Sequence, residues 1–368
     1  MMRKILAAGL AAALTVSLAA CGGTTETGGA GNNASSAAST TEAAADTTGS
    51  AEGTESSESA AAETGQVQDE LTLNVAYMPN YGSLWSVMTA IEQGYFAEEG
   101  ITVNLIEFQD GPTIISAMES GSVDIGYIGQ GAHRLCVEGN ATIFALSHIS
   151  NGDAVIGGPG IETIEDLAGK TVAYASGTSS QDILENALSS VGMTMEDIEA
   201  MDMAPENIVT AMASGSVDAA ATWSPGTLTI LEQVEGTTKL CDNMTFIDST
   251  ISLASWICTP SYAEANRDAL VRFTRALFKG MDYAAEGNYE QVAEWVAAQT
   301  ATDYDTVYSQ RGDADWLTGQ EVSAGAADGT VEGYYTTQKQ NLIDAGTVTV
   351  DPPVSDYVML DVMVEAGE

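Results

Sequence analysis

One motif occurs twice in the sequence, and this repeat constrains the fold more than any other feature. Residues 114–131 read IISAMESGSVDIGYIGQG, and residues 208–226 read IVTAMASGSVDAAATWSPG. Before each copy comes a VAY triplet, then turn-forming residues, then an amphipathic helix pattern that stops at a glycine. Each copy therefore predicts the order strand–helix–strand–helix–strand, with parallel strands and right-handed crossovers. Two such units predict an α/β protein with two similar lobes.

The order of segments along the chain predicts that one lobe is discontinuous. Strand-like runs near residues 154–160 and 251–259 separate the two units from each other and from a helix-rich C-terminal part. We expect these runs to cross between the lobes and the C-terminal helices to cover lobe 1. The predicted boundaries are residues 70–157 and 260–368 for lobe 1, and residues 158–259 for lobe 2.

The first 69 residues differ in composition from the rest. Residues 1–20 carry two basic residues and then a short apolar run, which is typical of a secretory signal peptide. The segment ends in LAAC followed by two glycines, which resembles a bacterial lipobox. In a lipobox the cysteine, here Cys21, carries the lipid, with palmitate among its acyl chains. A cleaved signal with a chance cysteine is the alternative. Residues 22–69 contain no aromatic or basic residue, so we predict that residues 21–69 are the lipidated cysteine and a flexible acidic linker.

Charge and composition exclude several classes of function. The net charge of −41 argues against nucleic acid as a partner and against electrostatic attachment to anionic lipid. Cys136, Cys241 and Cys258 lack the spacing of a zinc site, although Cys241 and Cys258 could form a disulfide. Two histidines are too few for most metal or triad schemes. We therefore predict no catalytic residues, no metal and no cofactor.

Five segments together resemble one known family. They read MTAIEQGYFAEEGITVNLIEF, AMESGSVDIGYIG, IETIEDLAGKTVAYASGTSSQDILENAL, GSVDAAATWSPG and NRDALVRFTRALFKGMDYA. The body is similar to the solute-binding proteins of ABC importers, in the branch that binds nitrate, sulfonates, taurine or thiamine precursors. The resemblance implies the type II periplasmic-binding architecture, in which two α/β lobes close on a ligand by hinge bending. It also implies an ABC permease with its ATPase as partner, and we expect a monomer.

The loops that follow the strands give the candidate ligand contacts. Ligands of open α/β sheets bind beyond the carboxyl ends of the strands, close to helix N-termini. Residues 178–180 could offer hydroxyl groups to a ligand or merely cap a helix, and Trp223 could stack on a ligand or lie in a lobe core. Asp110 and Asp153 could bind an ammonium group or act as turn residues. The predicted ligand-binding residues are Asn80, Tyr81, Gly129, Gln130, Thr178, Ser179, Ser180, Trp223 and Ser224.

These observations favour a membrane-anchored, extracytoplasmic solute receptor. The expected ligand is a small polar organic molecule, such as a sulfonate or taurine-like compound, a carboxylate or a pyrimidine-like heterocycle. The receptor would deliver this ligand to an ABC importer. Two alternatives stay open: an enzyme that acts on a small molecule with the same two-lobed frame, and a lipoprotein that senses a ligand for a membrane receptor.

Overall fold

The computed structural model describes residues 70–368. The predicted signal peptide, the lipidation of Cys21 and the predicted linker lie outside the described residues. The described part contains eleven strands: β1 (Leu71–Tyr77), β2 (Ile101–Glu107), β3 (Ile125–Ile128), β4 (Thr142–Ser150), β5 (Asp153–Gly157), β6 (Thr171–Tyr174), β7 (Glu199–Asp202), β8 (Ala219–Trp223), β9 (Thr238–Asp242), β10 (Leu253–Cys258) and β11 (Ala314–Asp315).

Helices separate most of these strands, and short 3₁₀ turns fill several of the connections. The helices of the described part are α1 (Tyr81–Glu92), α2 (Tyr95–Glu98), α3 (Gly111–Glu119), α4 (His133–Val137), α5 (Ser179–Ser190), α6 (Pro205–Ala213), α7 (Gly226–Gln233), α8 (Pro260–Ala265), α9 (Arg267–Tyr283), α10 (Tyr289–Thr300), α11 (Tyr304–Ser309), α12 (Gly319–Asp328), α13 (Thr330–Asp344) and α14 (Leu360–Ala366). None of the helices within residues 70–368 has both the length and the apolar character needed to cross a bilayer.

The strands form two sheets with the same plan. The first sheet has the order β11-β4-β10-β3-β1-β2, and the second has the order β7-β6-β8-β5-β9. In the first sheet β1 is parallel to β2 and β3, and in the second β6 is parallel to β7 and β8. Next to these three strands lies an antiparallel strand, β10 in the first sheet and β5 in the second. The predicted two-lobed α/β architecture is confirmed.

The strand pairing differs from both lobe boundaries predicted from the sequence. The boundary at residue 157 assigns β5 to lobe 1, but β5 pairs with β8 and β9 of the second sheet. The boundary at residue 260 assigns β10 to lobe 2, but β10 pairs with β3 and β4 of the first sheet. The chain thus crosses after β4 and again before β10, where the Ser150 N–H donates to the Ser252 carbonyl at 2.8 Å. A buried strand is apolar in either sheet, so the hydrophobic pattern alone could not assign it.

Matched hydrogen bonds explain why the repeated motif is conserved between the two lobes of this chain. Asp124 accepts from the Asn74 N–H at 2.8 Å, and Asp218 accepts from the Thr171 N–H at 2.9 Å. Each aspartate therefore ties the start of the third strand of its unit to the first strand, at the middle of β1 in lobe 1 and at the start of β6 in lobe 2. These contacts agree with a structural role for both aspartates.

Each lobe has its own apolar core. In lobe 1 the core between the six-stranded sheet and helices α1 and α9 contains the fully buried rings of Trp85, Trp256, Phe144 and Phe273. In lobe 2 smaller clusters lie against the five-stranded sheet. The three described cysteines are free and buried, and Cys241 and Cys258 lie on strands of different sheets.

Candidate functional site

A cavity lies where the carboxyl ends of parallel strands from both sheets meet. Its volume is about 70 Å³, which at about 10–15 Å³ for each water molecule leaves room for a small solute. Loops after β1 and β3 line it from lobe 1, and loops after β6 and β8 line it from lobe 2. The segment between α11 and α12 adds further residues from the C-terminal part. The position agrees with the rule for ligand sites in open α/β sheets.

The cavity brings together most of the ligand-binding residues predicted from the sequence. The predicted residues that line it are Asn80, Gly129, Gln130, Thr178, Ser179, Trp223 and Ser224. They arrive from four strand ends that are far apart in sequence but adjacent in space. Their role in ligand binding stays a prediction.

Tyr81 and Ser180 do not line the cavity. Tyr81 is fully buried, its ring lies edge-on to Trp316 at 5.1 Å, and its N–H donates to Gln310 Oε1 at 2.9 Å. Ser180 Oγ accepts from the Ala175 N–H at 3.0 Å and donates to the Ala221 carbonyl at 2.8 Å. Both side chains are fully buried and contact other protein groups instead of the cavity. The geometry gives them a structural role.

A buried hydrogen-bond chain holds the turn after β3. His133 Nδ1 lies 2.9 Å from the Gly129 carbonyl, and His133 Nε2 lies 2.8 Å from Ser255 Oγ. Ser255 in turn lies 2.8 Å from the hydroxyl of Tyr335. Burial lowers the pKa of His133 to about 4, so the ring is neutral near neutral pH. The side chain of Gln130 is also hydrogen-bonded to the protein, since its Oε1 accepts from the Leu253 N–H at 3.1 Å.

Two carboxylates face the cavity. Asp153 opens β5 and is 3% exposed, and it accepts from Ser179 Oγ at 2.5 Å, Asn243 Nδ2 at 3.0 Å and Ser252 Oγ at 3.4 Å. Burial raises the pKa of Asp153. Asp313 comes from the turn after α11, and burial, together with the nearby charge of Asp153, raises its pKa to about 6. Its Oδ2 atom is buried and has no hydrogen-bond partner among the described residues.

Aromatic rings form one wall of the cavity. His148 lies 4.8 Å from Trp316 and 6.1 Å from Tyr127, measured between ring centroids, and all three rings line the cavity. The indole N–H of Trp316 donates to the Arg311 carbonyl at 2.8 Å, which fixes the ring plane. Burial lowers the pKa of His148 to about 3, so this ring is neutral as well. Trp223 lines the cavity from lobe 2.

Sequence reasoning missed the residues that come from the C-terminal part. Gln310, Asp313 and Trp316 line the cavity, whereas the sequence pattern predicts only helices that cover lobe 1 in this region. The available signal was the break in helical periodicity at RGDADW, residues 311–316. Arg134, on α4, does not line the cavity; its guanidinium packs against Gly177, whose φ is 75°.

The lining has the chemistry of a binding site for a small solute. Among the described residues that line the cavity, none is Lys, Arg or Cys. Within residues 70–368, no group of three or more His, Cys, Asp or Glu side chains has a metal-binding arrangement. Carboxylates, amides, hydroxyl groups and aromatic rings remain, and these bind solutes by hydrogen bonds, charge and stacking.

Comparison with known proteins shows which family the chain belongs to. The "NMT1/THI5 like" family model matches residues 83–290. A "Putative binding protein" of Brucella abortus (strain 2308) is 28% identical over 80% of this chain and 92% of its own length. The "Taurine-binding periplasmic protein" of Escherichia coli (strain K12) is 26% identical over 49% of this chain and 56% of its own length.

Solved structures share the fold at low sequence identity. The alkanesulfonate-binding protein of Xanthomonas axonopodis pv. citri bound to MOPS has a TM-score of 0.60 and 18% identity, over 78% of this chain and 98% of its own. The desulfurization enzyme DszB has a TM-score of 0.58 and 14% identity, over 80% of this chain and 98% of its own. The fold is therefore shared by binding proteins and by an enzyme. By its sequence match and its two-sheet architecture, the chain belongs to the NMT1/THI5-like family and has the type II periplasmic-binding fold.

Proposed function

We propose that this protein is the extracytoplasmic solute receptor of an ABC importer, in which the cavity between the two sheets captures a small polar organic solute. The observation that carries the proposal is the cavity itself, which closes around residues from both lobes at their strand ends. A relative named for taurine and a neighbour bound to MOPS support a small organic solute over a polymer. In this function, the loaded receptor would dock on a permease that works with its ATPase.

The enzyme alternative finds little support in the side chains of the cavity. In the usual serine-nucleophile arrangement, an imidazole lies within hydrogen-bond reach of the serine hydroxyl. Three serines line the cavity: Ser179 donates to Asp153, Ser224 lies 3.0 Å from the Thr227 hydroxyl, and Ser150 Oγ accepts from the Gly152 N–H at 3.5 Å. None of these contacts is with an imidazole. The lining histidine, His148, contacts Ser147 at 3.1 Å, and Ser147 is fully buried. This arrangement favours retention of a solute over its conversion.

A thermal-shift screen of the purified full chain tests the receptor function. The screen covers sulfonates, amino acids, pyrimidines, small carboxylates and amines. A solute at 100 times its Kd adds about 2.7 kcal/mol to the free energy of unfolding, which raises the melting temperature measurably. Retention of one compound without turnover is the expected result. Conversion of that compound to a product would favour the enzyme alternative instead.

We also propose that Cys21 carries a lipid that anchors the receptor to the cell membrane. The support is the signal-like segment that precedes Cys21 and the small residues around it. Two acyl chains, at about 0.8 kcal/mol for each buried CH₂ group, form a stable anchor. Cys21→Ala should move the protein from the membrane fraction to the soluble fraction, as judged by immunoblotting. A matched Cys136→Ala variant should stay with the membrane. Membrane retention of the Cys21→Ala variant would contradict the anchor.

A further inference from the structure

We propose that the solute is an organic cation, whose protonated or quaternary ammonium group is bound by the carboxylates of Asp153 and Asp313 and by the aromatic wall that contains Trp316 and Tyr127. The inference rests on the proposed receptor function and narrows its class of solute. It differs from the sulfonate or carboxylate that the resemblance to the family suggests.

The charged residues that line the cavity are all acidic. Asp153 and Asp313 line it, and no Lys or Arg is present among the described lining residues. His148 does not supply a positive charge near neutral pH, because burial lowers its pKa to about 3. A sulfonate, which is permanently negative, would meet two carboxylates and no cation. An ammonium group would meet complementary charge.

The groups that donate hydrogen bonds to Asp153 are all neutral. Its partners are the hydroxyls of Ser179 and Ser252 and the amide of Asn243, which occupy both carboxylate oxygens and fix the plane of the group. Asp153 takes part in none of the ion pairs formed by the described residues. Since a deeply buried charge normally has a counter-charge, the solute is the natural source of one.

Asp313 gives a second, independent indication. The hydroxyl of Ser224 interacts with the Asp313 carboxyl and opposes the rise of its pKa. The Oδ2 atom is nevertheless buried without a hydrogen-bond partner among the described residues, although an ionised carboxylate can accept several hydrogen bonds. Asp313 lies close to the backbone of Gly152, which has no side chain; a Cβ atom at position 152 would lie 3.1 Å from the Asp313 Cβ. The nearby cation, Lys239, is bound to Asp242 at 2.5 Å. An unused acceptor at the wall of the cavity indicates that the solute is a hydrogen-bond donor or a cation.

The aromatic residues suit the same ligand. A cation within about 6 Å of a Trp or Tyr ring centroid is attracted by the negative face of the ring, and quaternary ammonium groups are often bound in this way. Trp316 packs edge-on or tilted against Tyr81 and Trp85 behind it, so its ring is fixed in place. On the lobe 2 side, Trp223 is the cross-strand partner of Asp153, which places a ring beside a carboxylate.

Several N–H groups at the helix N-termini near the cavity already have partners within the protein. Such termini bind anions through free N–H groups. At the start of α5, the Gly177 N–H donates to Gln181 Oε1 at 2.8 Å and the Ser180 N–H donates to Thr178 Oγ1 at 3.2 Å. At the start of α1, the Tyr81 N–H donates to Gln310 Oε1. These three donors are therefore already used within the protein and are not free to bind an anion.

Three probes that differ mainly in the charge of one group, with ethanolamine as a fourth, test whether the solute is positive, neutral or negative. Choline, 3,3-dimethyl-1-butanol and isethionate share a hydroxyethyl group and carry a positive, neutral and negative head, respectively; ethanolamine adds a primary ammonium. We would measure binding of each to the full chain by isothermal titration calorimetry near neutral pH. Asp313→Asn preserves shape and removes one charge. The control, Asp315→Asn, makes the same change at an exposed position two residues away.

We expect choline or ethanolamine to bind, and Asp313→Asn to weaken that binding by about tenfold or more while Asp315→Asn does not. Retention of the wild-type circular dichroism spectrum by Asp313→Asn would show that the loss is local. Binding of isethionate or the neutral alcohol in preference to both cations would overturn the inference and leave the receptor function intact. A protein that binds none of these probes, and nothing in the thermal-shift screen, would contradict the receptor function itself.

Discussion

Ser179 and Ser180 are neighbours in the sequence but have different surroundings. Ser179 lines the cavity and donates to Asp153, whereas Ser180 makes two buried hydrogen bonds that hold α5 to the sheet. Ser180→Ala should lower the free energy of unfolding by about 1–3 kcal/mol, because the Ala175 N–H loses its buried acceptor. Urea unfolding measures this change, with the exposed Ser189→Ala as control. Loss of solute binding without loss of stability would instead make Ser180 a ligand contact.

The raised pKa of Asp313 predicts that its charge destabilises the folded protein. An unfolded aspartate has a pKa of about 3.9, whereas burial raises the pKa of Asp313 in the fold to about 6. The folded state therefore binds more protons between these values, and stability falls as the pH rises through them. Asp153 and Lys239 are the charged groups that act on Asp313, and both remain in the Asp313→Asn variant.

Without added solute, Asp313→Asn should therefore match the wild type near pH 4 and exceed its free energy of unfolding near pH 7 by about 1–3 kcal/mol, from 1.36 kcal/mol for each pKa unit. Urea unfolding at several pH values measures the difference, with Asp315→Asn as the control. A gain in stability combined with a loss of cation binding would show that Asp313 serves function at the expense of stability. A constant difference across this pH range would contradict the raised pKa.

Local sequence predicted some residues of the site and could not predict others. Thr178, Ser179 and Trp223 follow strands of a recognisable βα unit, so their place at a strand end could be predicted from periodicity. Asp313 and Trp316 reach the cavity only because the chain returns to lobe 1 after the second crossing. Their approach depends on long-range packing, such as the 2.5 Å hydrogen bond from the Asn151 N–H to the Asp313 carbonyl. No local pattern encodes such a contact.

At the scale of secondary-structure elements, the repeated motif predicted the βαβαβ order more fully than the pattern of any single strand did. Both copies of SGSVD end a helix and begin the third strand of a βαβαβ unit, as β3 and β8 show. The copies diverge immediately afterwards, where Gly129 and Gln130 follow one strand and Trp223 and Ser224 end or follow the other, and these residues line the cavity. The shared part of the motif therefore stabilises each lobe, and the divergent part faces the solute.

The exchange of strands between the lobes was not predictable from the pattern of apolar residues. β5 and β10 each follow one unit in the sequence but complete the sheet of the other lobe, on its antiparallel side. Both strands are short and buried along their whole length, as a central strand of either sheet would be. This exchange places two adjacent crossings between the lobes, and such paired segments are suited to act as a hinge.

For the whole molecule, function depends on how closely the two lobes approach each other. Gly131, in the turn after β3 of lobe 1, lies against the backbone of Thr178 at the start of α5 in lobe 2. A Cβ atom at position 131 would overlap that backbone, and backbone atoms cannot move aside as the end of a flexible side chain can. Glycine at position 131 therefore permits the closed arrangement around the cavity.

Gly131→Ala should hold the lobes apart. Because only the closed arrangement surrounds a solute from both sides, we expect the affinity for the solute found in the screen to fall by about tenfold or more, in proportion to the lost closed population. Small-angle X-ray scattering should show a larger radius of gyration that no longer decreases when solute is added. Gly333→Ala is the matched control, since its added methyl group meets no atom within 4 Å. An unchanged radius together with unchanged affinity would show that closure does not require the contact between Gly131 and Thr178.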